Sequence, residues 1–205
     1  MILEFAEYIG ITAFTFSGFY IAVRHNLDLL GIFIVSFLTA LGGGLMRDTI
    51  VGIAPISLTT IYPILIVFVI VNLLILFNLH RKQEYDRKPI FIVADSIGLT
   101  SFSISGAMIA INSGYEIPGV IILAFITAVG GGILRDILIN EIPYILKGGF
   151  YAMVSIIIGV IIYILNYFNS LEFLYISIVF IFGVVLRLIA FYQNWELPNI
   201  YNKKV

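Results

Sequence analysis

The chain has 205 residues, of which 61% are hydrophobic and only 11% are charged, and its formal net charge is −1. Soluble domains are about 45–50% apolar and about 25% charged, so this composition excludes an ordinary soluble protein and indicates a membrane protein. The absence of cysteine excludes disulfides, thiolate chemistry and cysteine-based metal sites. Because His25 and His80 share no ligand spacing, we expect neither a metal nor a cofactor.

Seven stretches are long and apolar enough to cross a bilayer, which requires about 17–25 mostly apolar residues. The sequence therefore predicts an all-α integral membrane protein that forms a single membrane domain. Its N-terminus lacks a basic leader and is expected to begin the first mature helix. The predicted spans are 5–23, 29–52, 56–79, 90–112, 117–140, 146–168 and 172–192.

The second and fifth spans each contain three consecutive glycines, then two apolar residues, then Arg-Asp. The first copy of the motif is Gly42–Asp48, and the second, 88 residues later, is Gly130–Asp136. Each glycine weakens a helix by roughly 1 kcal/mol relative to alanine. A broken helix survives in a membrane only where protein or a wet cavity surrounds it. The motifs therefore predict that both spans are broken, with kinks at Gly42, Gly43, Gly44, Gly130, Gly131 and Gly132.

The repeat extends well beyond the glycines. An offset of 88 residues also aligns Ser17-Gly18 with Ser105-Gly106 and places an acid on an acid at Glu7 and Asp95. Each unit holds three spans, an odd number, so the two copies are expected to be inverted relative to each other, as in many transport proteins. The predicted units are 1–80 and 89–168, and the seventh helix, 172–192, has no counterpart.

Basic residues concentrate on one side of this seven-span layout. Only Arg47 lies near one side of the layout. The other side contains Arg24, the loop from His80 to Pro89, Lys147 and the tail pair Lys203-Lys204. The positive-inside rule therefore predicts an external N-terminus and a cytoplasmic C-terminus in a multi-pass protein of the cell membrane.

Charged residues inside a membrane are expensive and often functional, which makes the two Arg-Asp pairs candidate pathway residues. Arg47 and Asp48 are neighbours on a helix and are expected to point at different partners, with the acid at the positive end of a half-helix. Arg187, near the end of the last span, is expected to snorkel to the headgroups. The candidate pore charges are Arg47, Asp48, Arg135 and Asp136, and the candidate pore-lining polar residues are Ser17, Thr39, Ser105, Thr127, Glu7 and Asp95.

Each of these features also has a purely structural interpretation. The glycines alternatively serve close helix packing, and the Arg-Asp pairs alternatively anchor the helices at the membrane interface. The acids Glu7 and Asp95 alternatively complement a helix dipole. The serines and threonines alternatively bond only their own backbone.

Several functions are excluded by what the motifs lack. Neither glycine run is followed by the Lys-Ser/Thr of a phosphate-binding loop, so ATP-driven pumping is unsupported. The seventh span contains no lysine for a retinal Schiff base. No Ser/His/Asp constellation is apparent, and we therefore expect no enzymatic activity.

The three-plus-three-plus-one layout, the paired Ser-Gly and the doubled Gly-Gly-Gly-x-x-Arg-Asp resemble the prokaryotic branch of the trimeric intracellular cation (TRIC) channels, a family also labelled glycine transporters. The resemblance implies a homotrimer with one pore in each protomer, bounded by the second and fifth helices and passing potassium and sodium ions. We also expect membrane lipids, but no nucleic acid, as partners.

We therefore predict a passive monovalent cation channel, and specifically a potassium channel. Chains of hydroxyl and carbonyl oxygens are adequate weak sites for ions that must also leave. The alternative is a transporter of small solutes such as glycine, in which Arg47 or Arg135 binds a carboxylate while free carbonyls bind an ammonium. A third alternative, a structural membrane protein with no pathway, does not account for the repeated motifs.

Overall fold

The computed structural model describes residues 2–79, 88–146 and 150–197, and this part of the chain is helical with short connections. Several of the basic residues used to predict the topology lie outside the described residues: most of the loop that begins at His80, Lys147 and the tail pair Lys203-Lys204. The helices are α1 (Ile2–Arg24), α2 (Leu29–Val51), α3 (Ile56–Thr59), α4 (Tyr62–Leu76), α5 (Lys88–Asn112), α6 (Ile117–Leu138), α7 (Tyr151–Tyr167) and α8 (Phe173–Tyr192), with a short 3-10 helix at Tyr144–Leu146.

Five of these helices are long and apolar enough to span a membrane: α1, α2, α5, α6 and α8. The shorter apolar helices α4 and α7 contain 15 and 17 residues. The third predicted span, 56–79, is divided because the chain is extended at Thr60 before α4 begins at Tyr62-Pro63. Since proline fits the first turn of a helix but not its interior, Pro63 marks the start of α4.

Left-handed residues end all seven of these longer helices. A left-handed residue just past the last turn allows the final carbonyls to find partners, and glycine or asparagine adopts this conformation most readily. The residues with positive φ are Asn26, Gly52, Asn78, Gly114, Asn140, Asn169 and Asn194. One such residue follows the end of each of these helices by one or two positions.

The predicted interruption of the second and fifth spans is wrong. Helices α2 and α6 run unbroken through Gly42–Gly44 and Gly130–Gly132. The glycines instead lie where the two helices cross: a Cβ atom at Gly43 would overlap the Thr127 carbonyl oxygen, and one at Gly131 would overlap the Thr39 carbonyl oxygen. Small residues allow this approach of two backbones in a membrane, so the alternative of close helix packing describes the glycines better.

Four helices, α1, α2, α5 and α6, form the centre of the molecule through similar close crossings. A Cβ atom at Gly18 would lie 2.7 Å from Ser36 Cα, and one at Gly106 would lie 2.6 Å from the Leu123 carbonyl oxygen. Between α1 and α5, the rings of Phe14 and Phe102 pack with centroids 5.3 Å apart. Each ring lies over a glycine of the opposite helix, Phe14 over Gly98 and Phe102 over Gly10.

Helices α1 and α5 run antiparallel. Glu7 near the start of α1 lies beside Ser105 towards the end of α5, whereas Ser17 further along α1 lies beside Asp95 near the start of α5. Helices α7 and α8 pack outside the central four, where Gly183 of α8 lies against Thr100 of α5. The molecule thus places matching sequence motifs at opposite ends of one bundle.

Candidate functional site

The first charged cluster surrounds Arg47, a side chain that is only 1% exposed. Its Nη2 atom lies 2.7 Å from Glu7 Oε1, and its Nε donates to Asp48 Oδ1 over 2.8 Å. Nη1 donates to Ser105 Oγ over 2.7 Å, and that hydroxyl in turn donates to Glu7 Oε1 over 3.1 Å. All three guanidinium nitrogens are therefore bonded within a buried network, as a buried charge requires.

The second cluster surrounds Arg135 and repeats the first, 88 residues further along the chain. Nε of Arg135 donates to Asp136 Oδ1 over 2.8 Å, and Nη1 donates to Ser17 Oγ over 2.8 Å. Nη1 also lies 3.5 Å from Asp95 Oδ1, to which Ser17 Oγ donates over 3.3 Å. The arginine, the adjacent aspartate, the second acid and the serine thus have the same roles in both clusters.

The serines are exchanged between the two halves of the chain. Glu7, Arg47 and Asp48 come from the first half, but the serine that completes their cluster, Ser105, comes from the second. Ser17 completes the other cluster in the same way. Since Glu7 and Ser17 are ten residues apart on α1, the clusters lie at different levels, separated by about 15 Å along the helix axis.

Two expectations about the Arg-Asp pairs are wrong. Arg47 and Asp48 do not point at different partners, because the long arginine side chain bends back and bonds the adjacent carboxylate. The aspartates do not meet the start of a second half-helix within their own spans either, because α2 and α6 are continuous. Asp48 Oδ2 accepts from the Ile56 backbone N–H over 3.0 Å, and Asp136 Oδ2 accepts from the Tyr144 N–H over 2.7 Å. Each aspartate therefore ties the segment that follows its helix back to the cluster.

Each cluster has a formal charge of −1 when its arginine and two acids are ionised. Glu7, Asp48, Asp95 and Asp136 are all buried. Taking such charges out of water costs several kcal/mol per ion even when they are paired, so a membrane protein seldom buries them without a use. No group of three or more His, Asp or Glu side chains in the described residues is arranged to bind a metal.

The threonines differ from the serines in their bonding. Thr39 donates to the Val35 carbonyl over 2.6 Å, and Thr127 donates to the Leu123 carbonyl over 2.6 Å. Both hydroxyls thus bond their own helix, as the structural alternative predicts, and only the serines join a charged cluster.

The two ends of the bundle differ in open volume. A cavity of about 20 Å³ adjoins Arg47, whereas one of about 160 Å³ adjoins Arg135. The larger cavity is lined by Arg24 and Glu141 among other residues, and the residues at their matching positions in the other half are Asn112 and Ile53. The pseudo-symmetry therefore holds for the clusters but not for their surroundings. His25 lies nearby, with Nε2 3.1 Å from Glu141 Oε1.

Arg187 of α8 also lines the larger cavity, which the sequence did not indicate. It does not snorkel, since it is only 4% exposed. Its guanidinium carbon lies 4.8 Å from the centroid of the Tyr151 ring and 5.7 Å from those of Tyr144 and Phe191. The sequence offered one indication that Arg187 is buried: it lies five residues before the end of α8. From this position the side chain is further from the headgroups than it would be in the last turn.

Comparison with known proteins gives matches over nearly the whole chain. A family model described as "Glycine transporter" matches residues 4–81 and 92–167, one segment in each half. The UPF0126 membrane protein YvgT of Bacillus subtilis is 33% identical over 97% of this chain and 96% of its own. A solved TRIC cation channel is 35% identical over 100% of both chains with a TM-score of 0.84. The crystal structure of a prokaryotic TRIC channel is 31% identical over 96% of this chain and 99% of its own, with a TM-score of 0.86.

Proposed function

The chain belongs to the family described as glycine transporters, whose similar solved members are TRIC channels, and we propose that it is a passive channel for monovalent cations. It is a multi-pass membrane protein, and its similar solved structures are channels rather than enzymes. The observation that carries the proposal is the pair of buried clusters, each with one arginine and two acids, at opposite ends of the same four helices.

Charge balance favours cations over anions. Glu7 and Asp48 both contact Arg47, and Asp95 and Asp136 both contact Arg135. The single positive charge of each cluster is therefore outnumbered. In a channel wall of low dielectric constant the remaining negative charge acts over several ångströms with little screening. Potassium and sodium are the proposed permeant ions, as the resemblance to TRIC channels implies.

The proposed pathway runs from one cluster to the other between α1, α2, α5 and α6. Phe14 and Phe102 lie at intermediate levels on α1 and α5, and their rings fill the core there. The crossing of the glycine triplets lies one turn before each arginine. In this proposal the present conformation is closed, and opening separates the two phenylalanine rings.

Two inverted units, 1–80 and 89–168, with the seventh helix 172–192 outside them, are part of the same proposal. The antiparallel arrangement of α1 and α5 and the exchanged serines support it, as does the family model that matches both halves. We further propose a homotrimer in the cell membrane with one pathway in each protomer, an external N-terminus and a cytoplasmic C-terminus. The central crossing supports separate pathways because both of its helices belong to one chain.

The test is the reversal potential of the purified protein in planar bilayers under a potassium chloride gradient. Asp48→Asn and Asp136→Asn should each reduce potassium permeability relative to chloride several-fold, because each removes the net negative charge of one cluster. Glu116→Gln is the matched control, since Glu116 is exposed before α6 and caps no backbone group with its side chain. Equal shifts in all three variants, or none in the two aspartate variants, would refute the assignment.

A small-solute carrier is the second candidate. The observation that favours it is the 160 Å³ cavity, where arginines and acids lie together as a zwitterion would require. Saturable glycine counterflow into liposomes without single-channel currents would support the carrier. Currents without counterflow would support the channel.

A further inference from the structure

Arg187 is a buried cation with almost no hydrogen-bond partner. Its Nε atom is buried without a partner, and Nη2 makes only a long bond of 3.4 Å to the Tyr144 hydroxyl. Among the described residues, no carboxylate oxygen lies within 4.0 Å of its guanidinium. Arg47 and Arg135, which are equally buried, each bond two acids and a serine. An unpaired buried charge is costly. We therefore expect Arg187 to bind a partner other than the side chains around it, that is, a ligand.

The cavity beside Arg187 has room for such a partner. Its volume of about 160 Å³ corresponds to about five water molecules at roughly 30 Å³ each. The side chains around it include exposed Arg24 at the end of α1 and the aromatic rings of Phe91 and Phe191. The rings of Tyr144, Tyr151 and Phe191 surround the Arg187 guanidinium and hold it in one orientation, which reduces the entropy that a bound ligand would otherwise have to offset.

We propose that this cavity binds a small monovalent carboxylate through Arg187. Guanidinium presents N–H donors in a planar fork that matches the two oxygens of a carboxylate. The ligand would receive bonds from the two terminal nitrogens, which among the described residues have only the long bond from Nη2 to the Tyr144 hydroxyl, whereas Nε is buried away from the cavity. The cavity also adjoins the Arg135 cluster of the proposed pathway, but carboxylate binding at Arg187 can be measured without any ion flux.

Charge favours a carboxylate over a doubly charged phosphate. The charged residues that line the cavity are Arg24, Arg135, Arg187, Asp95, Asp136 and Glu141, which balance formally. A ligand with a single negative charge would neutralise Arg187, as the acids do for Arg47 and Arg135. A second negative charge would lie among Asp95, Asp136 and Glu141, and the cations other than Arg187 are poorly placed to offset it: Arg135 is already paired with Asp95 and Asp136, and Arg24 lies at the exposed rim.

The probe is acetate, and the readout is thermal unfolding of the purified full chain in phosphatidylcholine nanodiscs. Sodium chloride is replaced stepwise by sodium acetate at constant ionic strength. A ligand that binds only the folded state raises the Tm in a concentration-dependent way. We expect a saturable rise for the wild type. For Arg187→Met the apparent affinity should fall at least about tenfold, the usual scale for losing a charged hydrogen-bonded pair.

Two further variants separate binding from folding. Arg187→Met removes an unpartnered charge, so its Tm without acetate should equal or exceed that of the wild type. Arg187→Lys keeps the charge without the planar fork and should bind with intermediate affinity. Arg24→Met is the control at the exposed rim and should keep most of the acetate response.

Three outcomes would overturn the proposal. One is a wild type whose Tm does not respond to acetate. Another is an Arg187→Met variant that responds as strongly as the wild type, or a response that Arg24→Met alone abolishes. The third is stabilisation by phosphatidylglycerol in the nanodisc, dependent on Arg187, with no effect of acetate, because the occupant would then be a lipid phosphate.

Discussion

At the scale of single residues, the serines link the two halves of the molecule. Ser105 and Ser17 each bond both an arginine and an acid of the opposite half, although a serine within a membrane helix commonly bonds its own backbone. Ser103, two residues before Ser105 on the same helix, follows the common pattern and donates to the Leu99 carbonyl. The two hydroxyls are equally buried, and only one of them satisfies charged groups.

Replacement of these two serines by alanine should therefore have different effects. Ser105→Ala leaves Arg47 and Glu7 each short of a buried hydrogen bond, which costs about 1–3 kcal/mol. Ser103→Ala removes only a bond to the Leu99 carbonyl, which also accepts a backbone hydrogen bond within its helix. This substitution should therefore lower the stability by less than about 1 kcal/mol. The measurement is the Tm of each purified variant. A Tm for Ser103→Ala that falls as far as that for Ser105→Ala would contradict the linking role.

At the scale of the helices, the glycine triplets contain positions that are not equivalent. A Cβ atom at Gly43 or Gly131 would collide with a carbonyl oxygen of the opposite helix. A Cβ atom at Gly44 would have Arg47 Nη2 as its nearest neighbour, at 3.7 Å, and one at Gly132 would have Arg135 Nη2, at 3.8 Å. Both distances are ordinary van der Waals contacts. Two of the six glycines are thus required by backbone packing, and two others face the arginine side chains.

Gly43→Ala and Gly131→Ala should separate α2 from α6 and lower stability by roughly 1–3 kcal/mol or more, as overpacking does. The matched controls Gly44→Ala and Gly132→Ala should be neutral or stabilising by up to about 1 kcal/mol, because alanine favours the helix. The measurement is thermal unfolding in detergent. Equal destabilisation at all four positions would mean that the triplets act through backbone flexibility rather than through the crossing.

The phenylalanine pair is the second feature of the helices that bears on function. If Phe14 and Phe102 close the proposed pathway, Phe14→Ala and Phe102→Ala should each increase the open probability or the conductance in planar bilayers. Phe19→Ala is the control, because Phe19 is equally buried on α1 and makes no ring–ring contact among the described residues. Unchanged currents in both variants of the pair would place the constriction elsewhere.

At the scale of the whole molecule, the topology remains a prediction from charge. The chain contains no cysteine, so single introduced cysteines report their side of the membrane cleanly. Glu84→Cys should react with an impermeant maleimide only after the cytoplasmic side is exposed, and Asn169→Cys should react in intact cells. The reverse pattern would invert the orientation.

The sequence predicted the bundle well and its centre only in part. Composition located the long helices, and the offset of 88 residues singled out the arginines, acids and serines, but it did not predict that they join in two clusters. The helix break was predicted incorrectly, because glycine propensity is a local property whereas the crossing of α2 with α6 depends on contacts between the two halves. Arg187 was misjudged for a similar reason, since its surroundings come from α6, α7 and the segment between them.

The exchange of serines has a consequence for how the molecule can be divided. Neither half of the chain can complete its own cluster: the first lacks the hydroxyl that Arg47 requires, and the second lacks the one for Arg135. Separately synthesised halves would therefore stabilise each other only when they insert with opposite orientations. A three-helix ancestor with one such serine and one such arginine would have met the same condition by pairing with a copy of itself inserted upside down.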